Sequence, residues 1–160
     1  MSKSPQKTPS PSSSKITKAD YENLAHFRYQ LRHFLRFSED VTRKKGITVL
    51  QYLLLLQIKG FPDRDWATVG ELAERLQAKQ HGVVSLITRC EVTGLVVRCA
   101  SRDDKRRVEV RLTEKGERCL EQLALLHREE LLSFPGGVVI PNLSAESSAK
   151  NTTKNAKKIK

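Results

Sequence analysis

The sequence predicts a mainly α-helical protein with one small β-hairpin, and three observations lead to that prediction. Apolar residues recur every three or four positions in four segments, which indicates amphipathic helices, and a fifth segment, 48–59, is rich in leucine throughout. Two short runs rich in valine and arginine, at 95–99 and 108–112, have the composition of strands. A charged turn at 101–107 separates them. Helix, helix, strand, turn and strand follow in that order from residue 68, which is the order of a helix-turn-helix with a β-wing.

Most of the positive charge lies near the two ends of the chain. The formal net charge is +11, of which residues 1–18 and 135–160 supply a net eight, from nine lysines and one glutamate. Residues 1–17 and 135–160 are rich in Ser, Pro and Lys and poor in apolar side chains, so we expect two disordered basic tails. The ordered domain is then 18–134. Residues 19–134 carry only three net positive charges, so charge alone indicates no more than a general attraction to polyanions.

Two helices are predicted before the helix-turn-helix. The first runs from about Lys18 to Val41, with an apolar stripe that includes Leu24, Phe27, Leu31 and Phe34. Thr48 and Gln51 have capping-box spacing and begin the second helix, which continues to about Lys59. Trp66 and Ala67 are expected to add a short third strand to the hairpin.

The helix predicted over 79–93 has two different faces. Thr68 and Glu71 form a capping box that begins the helix before it, and Gly94 ends the helix itself. Four residues are expected to point inward: Val83, Leu86, Ile87 and Cys90. Polar side chains that match base edges and phosphates occupy the other face. Its expected DNA contacts are Lys79, Gln80, His81, Val84, Ser85 and Arg89. We also expect Thr68 to contact the DNA backbone.

The turn between the strands concentrates cations around two aspartates. Arginine is favoured where a narrow minor groove focuses negative potential, and an adjacent aspartate can hold its side chain extended. The residues expected to contact DNA from this wing are Arg102, Asp104, Lys105, Arg106 and Arg107. A solvated hairpin turn is the simpler alternative interpretation.

The last predicted helix begins at the Thr113 cap and continues to about Phe134, with Leu120, Leu123, Leu126 and Leu131 on its apolar side. Its 22 residues would span about 33 Å, which is long for one small winged domain. Apolar helices at both ends of a small core need a surface to pack on. A second copy of the chain is the simplest one, so we expect N- and C-terminal dimerisation helices to flank the winged helix-turn-helix core.

Other classes of protein lack support in the sequence. There is no phosphate-cradling glycine loop, HExxH or GxSxG motif, so we expect neither an enzyme nor a cofactor. The widely spaced Cys90, Cys99 and Cys119 fit no zinc motif or disulfide framework, and no metal site is expected. No apolar run approaches the roughly 20 residues of a membrane span, and no export signal begins the chain. We expect a cytoplasmic, nucleoid-associated protein.

The segment TVGELAERLQAKQHGVVSLITRCEVTGLVVRCASRDDKRRVEVRLTEKG resembles the winged-helix core of MarR-type bacterial transcription regulators. The preceding ITVLQYLLLLQIKG is also similar, and the resemblance covers roughly residues 20–134. The chain departs from relatives at Val84-Ser85, where Thr-Arg is common, and at Ser101-Arg102-Asp103, where an Asp-Pro pattern is usual. It also has one long final helix where many relatives add another.

The resemblance implies a homodimer that binds a pseudo-palindromic operator in double-stranded DNA and represses nearby genes. It implies that Lys79 to Ser85 enter the major groove and that Arg106, braced by Asp104, is the wing arginine. A small aromatic effector that releases the DNA is also implied, and Tyr21, Phe27 and Phe34 are candidates to line its pocket. The alternative function is a winged-helix module that binds protein or compacts DNA without sequence preference through its basic tails.

Overall fold

The computed structural model describes residues 15–101, 107–138 and 140–141, and its elements follow the predicted order. Two helices come first, α1 (Lys18–Lys44) and α2 (Val49–Lys59). The winged helix-turn-helix follows as β1 (Trp66–Ala67), α3 (Val69–Arg75), α4 (Gln80–Val92), β2 (Val96–Ala100) and β3 (Val108–Leu112), and α5 (Glu114–Ser133) ends the series. The predicted fold class, mainly helical with a small β-wing, is confirmed.

The chain forms two compact units. One contains the described residues of Gln30–Val138, and the other contains the described residues 15–29 and 140–141. In the second unit, Thr17 and Asp20 fix the start of α1 through reciprocal bonds. The Thr17 amide donates to Asp20 Oδ2 at 2.9 Å, and the Asp20 amide donates to Thr17 Oγ1 at 3.2 Å. These bonds satisfy amides that the first turn of a helix leaves unpaired. The basic tails predicted at 1–17 and 135–160 lie mostly outside the described residues.

The three strands form one antiparallel sheet in the order β1-β3-β2. Strand β3 lies in the centre, where Ala67 of β1 is the partner of Val110, and Cys99 of β2 is the partner of Glu109. The short third strand predicted at Trp66–Ala67 is therefore confirmed. It ties the base of the wing to the segment that leads into α3.

The core of the Gln30–Val138 unit joins the helix-turn-helix to α2 and α5. The predicted inward residues of α4 are all buried, as are Leu72 of α3 and Leu123 of α5. They pack with apolar side chains from α2 and the sheet, among them Leu54, Leu55, Ile58, Ala67 and Val110. Because one side of α4 is fixed in this core, its rotation is set and the opposite side must face outward.

Both predicted capping boxes are present. At the start of α2, the Gln51 amide donates to Thr48 Oγ1 at 3.2 Å, and the Thr48 amide donates to Gln51 Oε1 at 2.9 Å. Thr68 and Glu71 make the same exchange at the start of α3. Thr113 caps α5 through a 3.0 Å bond from the Gly116 amide. Local sequence thus determines where three of the helices begin.

Two predicted boundaries move because glycine ends a helix in a specific way. Helix α1 continues to Lys44 and not to Val41, and Gly46 has φ +74° beyond its end. Gly94 has φ +71° after α4, and the next amide, of Leu95, donates back to Cys90 O at 2.8 Å. That bond belongs to a Schellman motif, so Leu95 completes the helix end and the strand begins one residue later, at Val96.

A further glycine lets α5 approach the turn after α4. A Cβ at Gly116 would lie 2.0 Å from the carbonyl oxygen of Leu95. The Thr113 hydroxyl also donates to Gly94 O at 2.6 Å, and the Thr113 amide donates to Leu95 O at 3.1 Å. The first turn of α5 is therefore docked against backbone, at a distance that a larger residue does not permit.

Candidate nucleic-acid interface

The outer face of α4 is exposed along its whole length. Each of the six residues predicted to contact DNA from this helix is exposed: Lys79, Gln80, His81, Val84, Ser85 and Arg89. Gly82 lies among them with open space around its Cα. A helix with one apolar buried face and one exposed polar face has the shape and chemistry that the major groove accepts.

The first turn of α4 offers amides to an anion. Lys79 is the N-cap residue, and its side chain makes no capping bond. The first turn also contains no acidic residue. Unpaired amides and the positive end of the helix dipole favour a phosphate at this position, and the ammonium of Lys79 adds to that attraction.

Two hydroxyls on the outer face bond to their own helix. Ser85 Oγ donates to His81 O at 3.1 Å, and Thr88 Oγ1 donates to Val84 O at 3.0 Å. In this arrangement Ser85 Oγ keeps its lone pairs outward. It can therefore accept a bond from the amino group of adenine or cytosine in the major groove.

The angle between α3 and α4 depends on a residue with positive φ. Gln77 has φ +50°, in a region that residues other than glycine seldom adopt. Its amide donates to Glu74 O at 3.1 Å, and the Ala78 amide donates to Ala73 O at 3.0 Å. These two bonds form a Schellman motif that ends α3, so α4 begins only three residues after the turn of chain direction at Gln77.

Thr68 lies half-buried at the start of α3, where its hydroxyl is already occupied. Its Oγ1 donates to Glu71 Oε2 at 2.8 Å and accepts from the Glu71 amide. Partial burial raises the pKa of Glu71, but bonds from the Thr68 amide and the Arg64 guanidinium outweigh it and leave that pKa below its ordinary value. The structure thus gives Thr68 a helix-capping role, and its contact with DNA stays a prediction.

The described part of the wing is the ladder between β2 and β3. The Ser101 amide donates to Arg107 O at 2.9 Å, beyond the last paired residues of the hairpin. Arg107 is exposed there. The other predicted wing residues, Arg102, Asp104, Lys105 and Arg106, lie outside the described residues.

Arg98 connects the wing to α4, and the sequence interpretation missed it. Its Nη2 donates to Val84 O at 3.2 Å and to Thr88 Oγ1 at 3.1 Å. Its guanidinium also pairs with the carboxylate of Glu91, which accepts the Arg98 backbone amide as well, at 3.0 Å. One signal was available: Arg98 has the same strand parity as buried Val96, so a cation there needs an acidic partner.

The base of the wing is held by a second cluster of charges. Arg111 of β3 bonds to Asp65 at 3.0 Å and to Glu109 at 2.8 Å. A bond with Ser101 lowers the pKa of Glu109 below its ordinary value, and although burial opposes this, Arg111 and Arg107 add to it. Arg64 stacks on the ring of Trp66 at 3.9 Å. These contacts join β1 and β3 and orient the hairpin independently of Arg98.

The candidate effector residues lie in different surroundings. Tyr21 is exposed and Phe27 is half-buried in the unit that contains residues 15–29. In the Gln30–Val138 unit, Phe34 lies edge-on to His127 at 5.6 Å, and Tyr52 stacks on the same ring at 4.3 Å. A pocket lined by the three predicted aromatic residues stays a prediction.

His127 is a buried polar residue with both ring nitrogens bonded. Nδ1 lies 2.7 Å from Leu123 O, and Nε2 lies 2.9 Å from Ser38 Oγ. Because a carbonyl oxygen only accepts, Nδ1 carries a proton and donates to Leu123 O, and Nε2 shares a hydrogen bond with the Ser38 hydroxyl. This pair joins α1 to α5 and accounts for the interruption of the apolar stripe of α1 at Ser38.

The cysteines are free thiols in the described part of the chain. Burial raises the pKa of Cys90, a small apolar side chain of the core, as predicted. Cys119 packs partly against the core. Across the described ranges, no group of three or more His, Cys, Asp or Glu residues is placed to hold a metal ion. No helix there is long and apolar enough to cross a membrane.

The sequence and the fold are both similar to those of one family of known proteins. Residues 45–107 match the sequence model of the MarR family. An uncharacterised helix-turn-helix transcriptional regulator of Bacillus cereus is 32% identical over 87 residues, which are 54% of this chain and 55% of that protein. The chain thus spans little more than half the length of the relatives that it matches.

Solved structures share the fold. A MarR family protein from Bacillus stearothermophilus superposes with a TM-score of 0.64 at 25% identity, over 76% of this chain and 86% of that one. A mutant of Staphylococcus aureus MepR bound to an oligodeoxyribonucleotide superposes with a TM-score of 0.57 at 23% identity, over 72% and 79% of the two chains.

Proposed function

Because the chain carries a winged helix-turn-helix domain of the MarR family of transcriptional regulators, we propose that it is a repressor that binds a specific double-stranded DNA operator as a homodimer. One observation carries the proposal: the exposed polar face of α4 is joined to strand β2 of the wing through Arg98. A reading helix and a hairpin held in one orientation can meet a major groove and the adjacent phosphates together.

In this mechanism α4 lies in the major groove with its first turns nearest the bases. Gln80 bonds adenine through its amide, Ser85 accepts from a base amino group, and Val84 contacts a thymine methyl. Lys79 and the free amides of the first turn hold a phosphate. His81 and Arg89 extend the contact on either side, and the wing residues reach the flanking minor groove, with Arg106 as its main arginine.

The homodimer is supported by an apolar surface on α5. The leucines near its C-terminal end are exposed in the single chain: Leu125, Leu126, Leu131 and Leu132. Leu126 and Leu131 were expected on the apolar side of this helix, but the core of one chain buries only Leu120 and Leu123 of that set. A second copy that covers these leucines would place two α4 helices about one DNA turn apart, roughly 34 Å.

A small aromatic effector belongs to the same proposal. A ligand against α1, near Tyr21, Phe27 or Phe34, would release the operator if it bound better to a dimer with a different spacing of its reading helices. The location follows from the activity, since a regulator of transcription works where the DNA is. We therefore propose a cytoplasmic, nucleoid-associated protein.

Selection of binding sites from random duplexes, at physiological salt, tests the function. We expect a two-fold symmetric consensus, whose preferred bases change in Gln80→Ala and Ser85→Ala. A Lys79→Gln variant should keep the consensus, bind all sequences more weakly and show a smaller salt slope. If chosen and random duplexes bind equally as salt is raised, the alternative of a non-specific DNA-compacting or protein-binding module replaces this proposal.

A further inference from the structure

A basic cleft lies within the Gln30–Val138 unit, among the α1–α2 turn, the end of α4 and the first turns of α5. Its volume is about 410 Å³, which falls in the range of small-molecule sites. Lys45 enters it from the turn, and Lys115 and Arg118 enter it from α5. Cys119 and Gln122 also line it. No acidic residue does so among the described residues.

The two lysines are oriented without being neutralised. Lys45 Nζ donates to Gln122 Oε1 at 2.7 Å, and Lys115 Nζ donates to Thr93 O at 2.7 Å. Both acceptors are neutral, and in the described ranges neither ammonium pairs with a carboxylate. Arg118 has only a 3.4 Å pair with the almost fully exposed Glu114, which solvent weakens. Three positive charges therefore face one space with little compensation.

The two cations from α5 lie at the N-terminal end of that helix. Lys115 and Arg118 belong to its first turns, where the partial charge of the helix dipole is positive, and the acidic residues of the first turn, Glu114 and Glu117, do not line the cleft. The dipole and the cations would therefore attract an anion in the cleft together. Both lysines act electrostatically on Cys119: burial raises the pKa of its thiol, and the two ammonium groups oppose that rise. The thiol and the lysines thus face the same space, and a protonated thiol does not neutralise them.

We propose that this cleft binds a small anion that carries two or more anionic oxygens, as a phosphorylated or polycarboxylate metabolite does. The two lysines and Arg118 bind the oxygens, and the remaining volume holds the body of the ligand. The cleft is separate from the exposed polar face of α4. It adjoins Thr93 beyond the C-terminal end of α4, about 20 Å along the helix axis from Gln80. It is also independent of the aromatic effector residues and does not depend on the proposed DNA binding.

Cys119 reports on occupancy in the full chain. The measurement is the rate at which uncharged iodoacetamide alkylates Cys119, read by mass spectrometry, with Cys99 in the same molecule as the reference. Inorganic pyrophosphate and citrate are the probes, and sodium chloride at equal ionic strength is the control. We expect either probe to slow the alkylation of Cys119 at least fivefold and to leave the alkylation rate of Cys99 unchanged. A bound anion both covers the sulfur and disfavours the thiolate that reacts.

Variants assign the effect to the cleft. Lys45→Gln and Lys115→Gln each replace an exposed lysine and should each abolish most of the protection, whereas Lys44→Gln, on α1 outside the cleft lining, should keep it. Protection that equal ionic strength of chloride reproduces, or that survives both cleft variants, overturns the proposal. So does a result in which a random DNA duplex protects Cys119 and neither probe does, because the cations would then serve the DNA backbone.

Discussion

The guanidinium of Arg98 and the hydroxyl of Thr88 lie 3.1 Å apart, and this contact joins strand β2 of the wing to the middle of α4. The same guanidinium reaches Val84 O one turn earlier, and Glu91 nearly one turn later. It therefore spans two turns of α4. The side chain of Arg98 is 29% exposed and that of Glu91 is 28%, so the ion pair is partly shielded from water. The wing and α4 are held as one surface.

Replacement of Arg98 tests this connection. Arg98→Ala removes charge-assisted bonds and leaves Glu91 partly buried without its cation, so we expect a loss of about 1–3 kcal/mol in the free energy of unfolding. Operator affinity should fall about tenfold or more, since about 1.4 kcal/mol of lost orientation is enough. Arg98→Lys should recover part of the stability, because an ammonium is a point charge and cannot span all three partners.

Chemical denaturation and DNA titration measure the two effects. Arg43→Ala is the matched control, since Arg43 makes an exposed i,i+3 pair with Asp40 on α1 and its loss should change little. Unchanged operator affinity in Arg98→Ala would show that the contact serves stability alone.

Two glycines give opposite predictions for the same substitution. Gly116→Ala forces a Cβ to within 2.0 Å of Leu95 O, which is backbone and cannot rotate away. We expect the free energy of unfolding to fall by several kcal/mol, or the variant not to fold, because the first turn of α5 can no longer pack against the backbone of Leu95. Gly82→Ala adds a Cβ in open space within α4 and should stabilise the fold by up to about 1 kcal/mol.

Thermal unfolding compares the two variants, and Gly82→Ala carries a second readout. Gly82 lies on the exposed face of α4, so the added methyl should weaken operator binding while it stabilises the free protein. A stabilised variant that binds the operator normally would place Gly82 away from the DNA.

Glu109 of β3 should make the folded protein more stable near pH 7 than at acidic pH. The pKa of Glu109 is lowered in the folded protein by its bond with Ser101 and by Arg111. A carboxylate with a lowered folded pKa contributes stability above its unfolded pKa, and this contribution is lost as the pH falls through the folded value. Glu109→Gln should therefore be less stable than the parent near pH 7, and the difference should shrink as the pH falls to about 2.

Urea denaturation over that pH range measures the difference. Glu129→Gln, at an exposed position of α5, should match the parent at every pH. A difference for Glu109→Gln that is the same at both ends of the range would mean that the carboxylate charge is not the cause.

The apolar surface of α5 predicts the behaviour of charge substitutions. Leu132 is 75% exposed in the single chain, and Leu125 is 46% exposed. If a second copy covers them, Leu132→Glu buries an unpaired carboxylate and should dissociate the dimer, with operator affinity lost and helix content kept. Light scattering after size exclusion gives the mass directly.

Val92→Glu is the control for this substitution. Val92 is more exposed still, at 84%, and lies at the end of α4. The Val92→Glu variant should remain dimeric. If the parent protein is already monomeric at micromolar concentration, the proposal of a homodimer with two α4 helices one DNA turn apart is wrong.

Part of the candidate nucleic-acid interface was predictable from the sequence alone. The inward set of α4 follows from helical spacing, so the outward set, Gln80 and Ser85 among them, follows by geometry. Arg98 was missed because strand alternation shows that it faces inward but not which acid it meets. Thr68 was predicted to contact DNA, yet its hydroxyl is engaged by Glu71 only three residues away, a local contact that its own capping box already implied.

The sequence by itself determined what neighbouring residues decide among themselves: helix starts at Thr48, Thr68 and Thr113, the turn at Gly94, and the buried face of α4. These depend on backbone hydrogen bonds and on a repeat of 3.6 residues, which act over a few positions. Only the tertiary structure decided that Arg98 spans two turns of α4, that Gly116 admits the carbonyl of Leu95, and that Lys45 and Lys115 line the same cleft. Contacts of that kind depend on distances between segments far apart in the chain, which no local pattern of residues specifies.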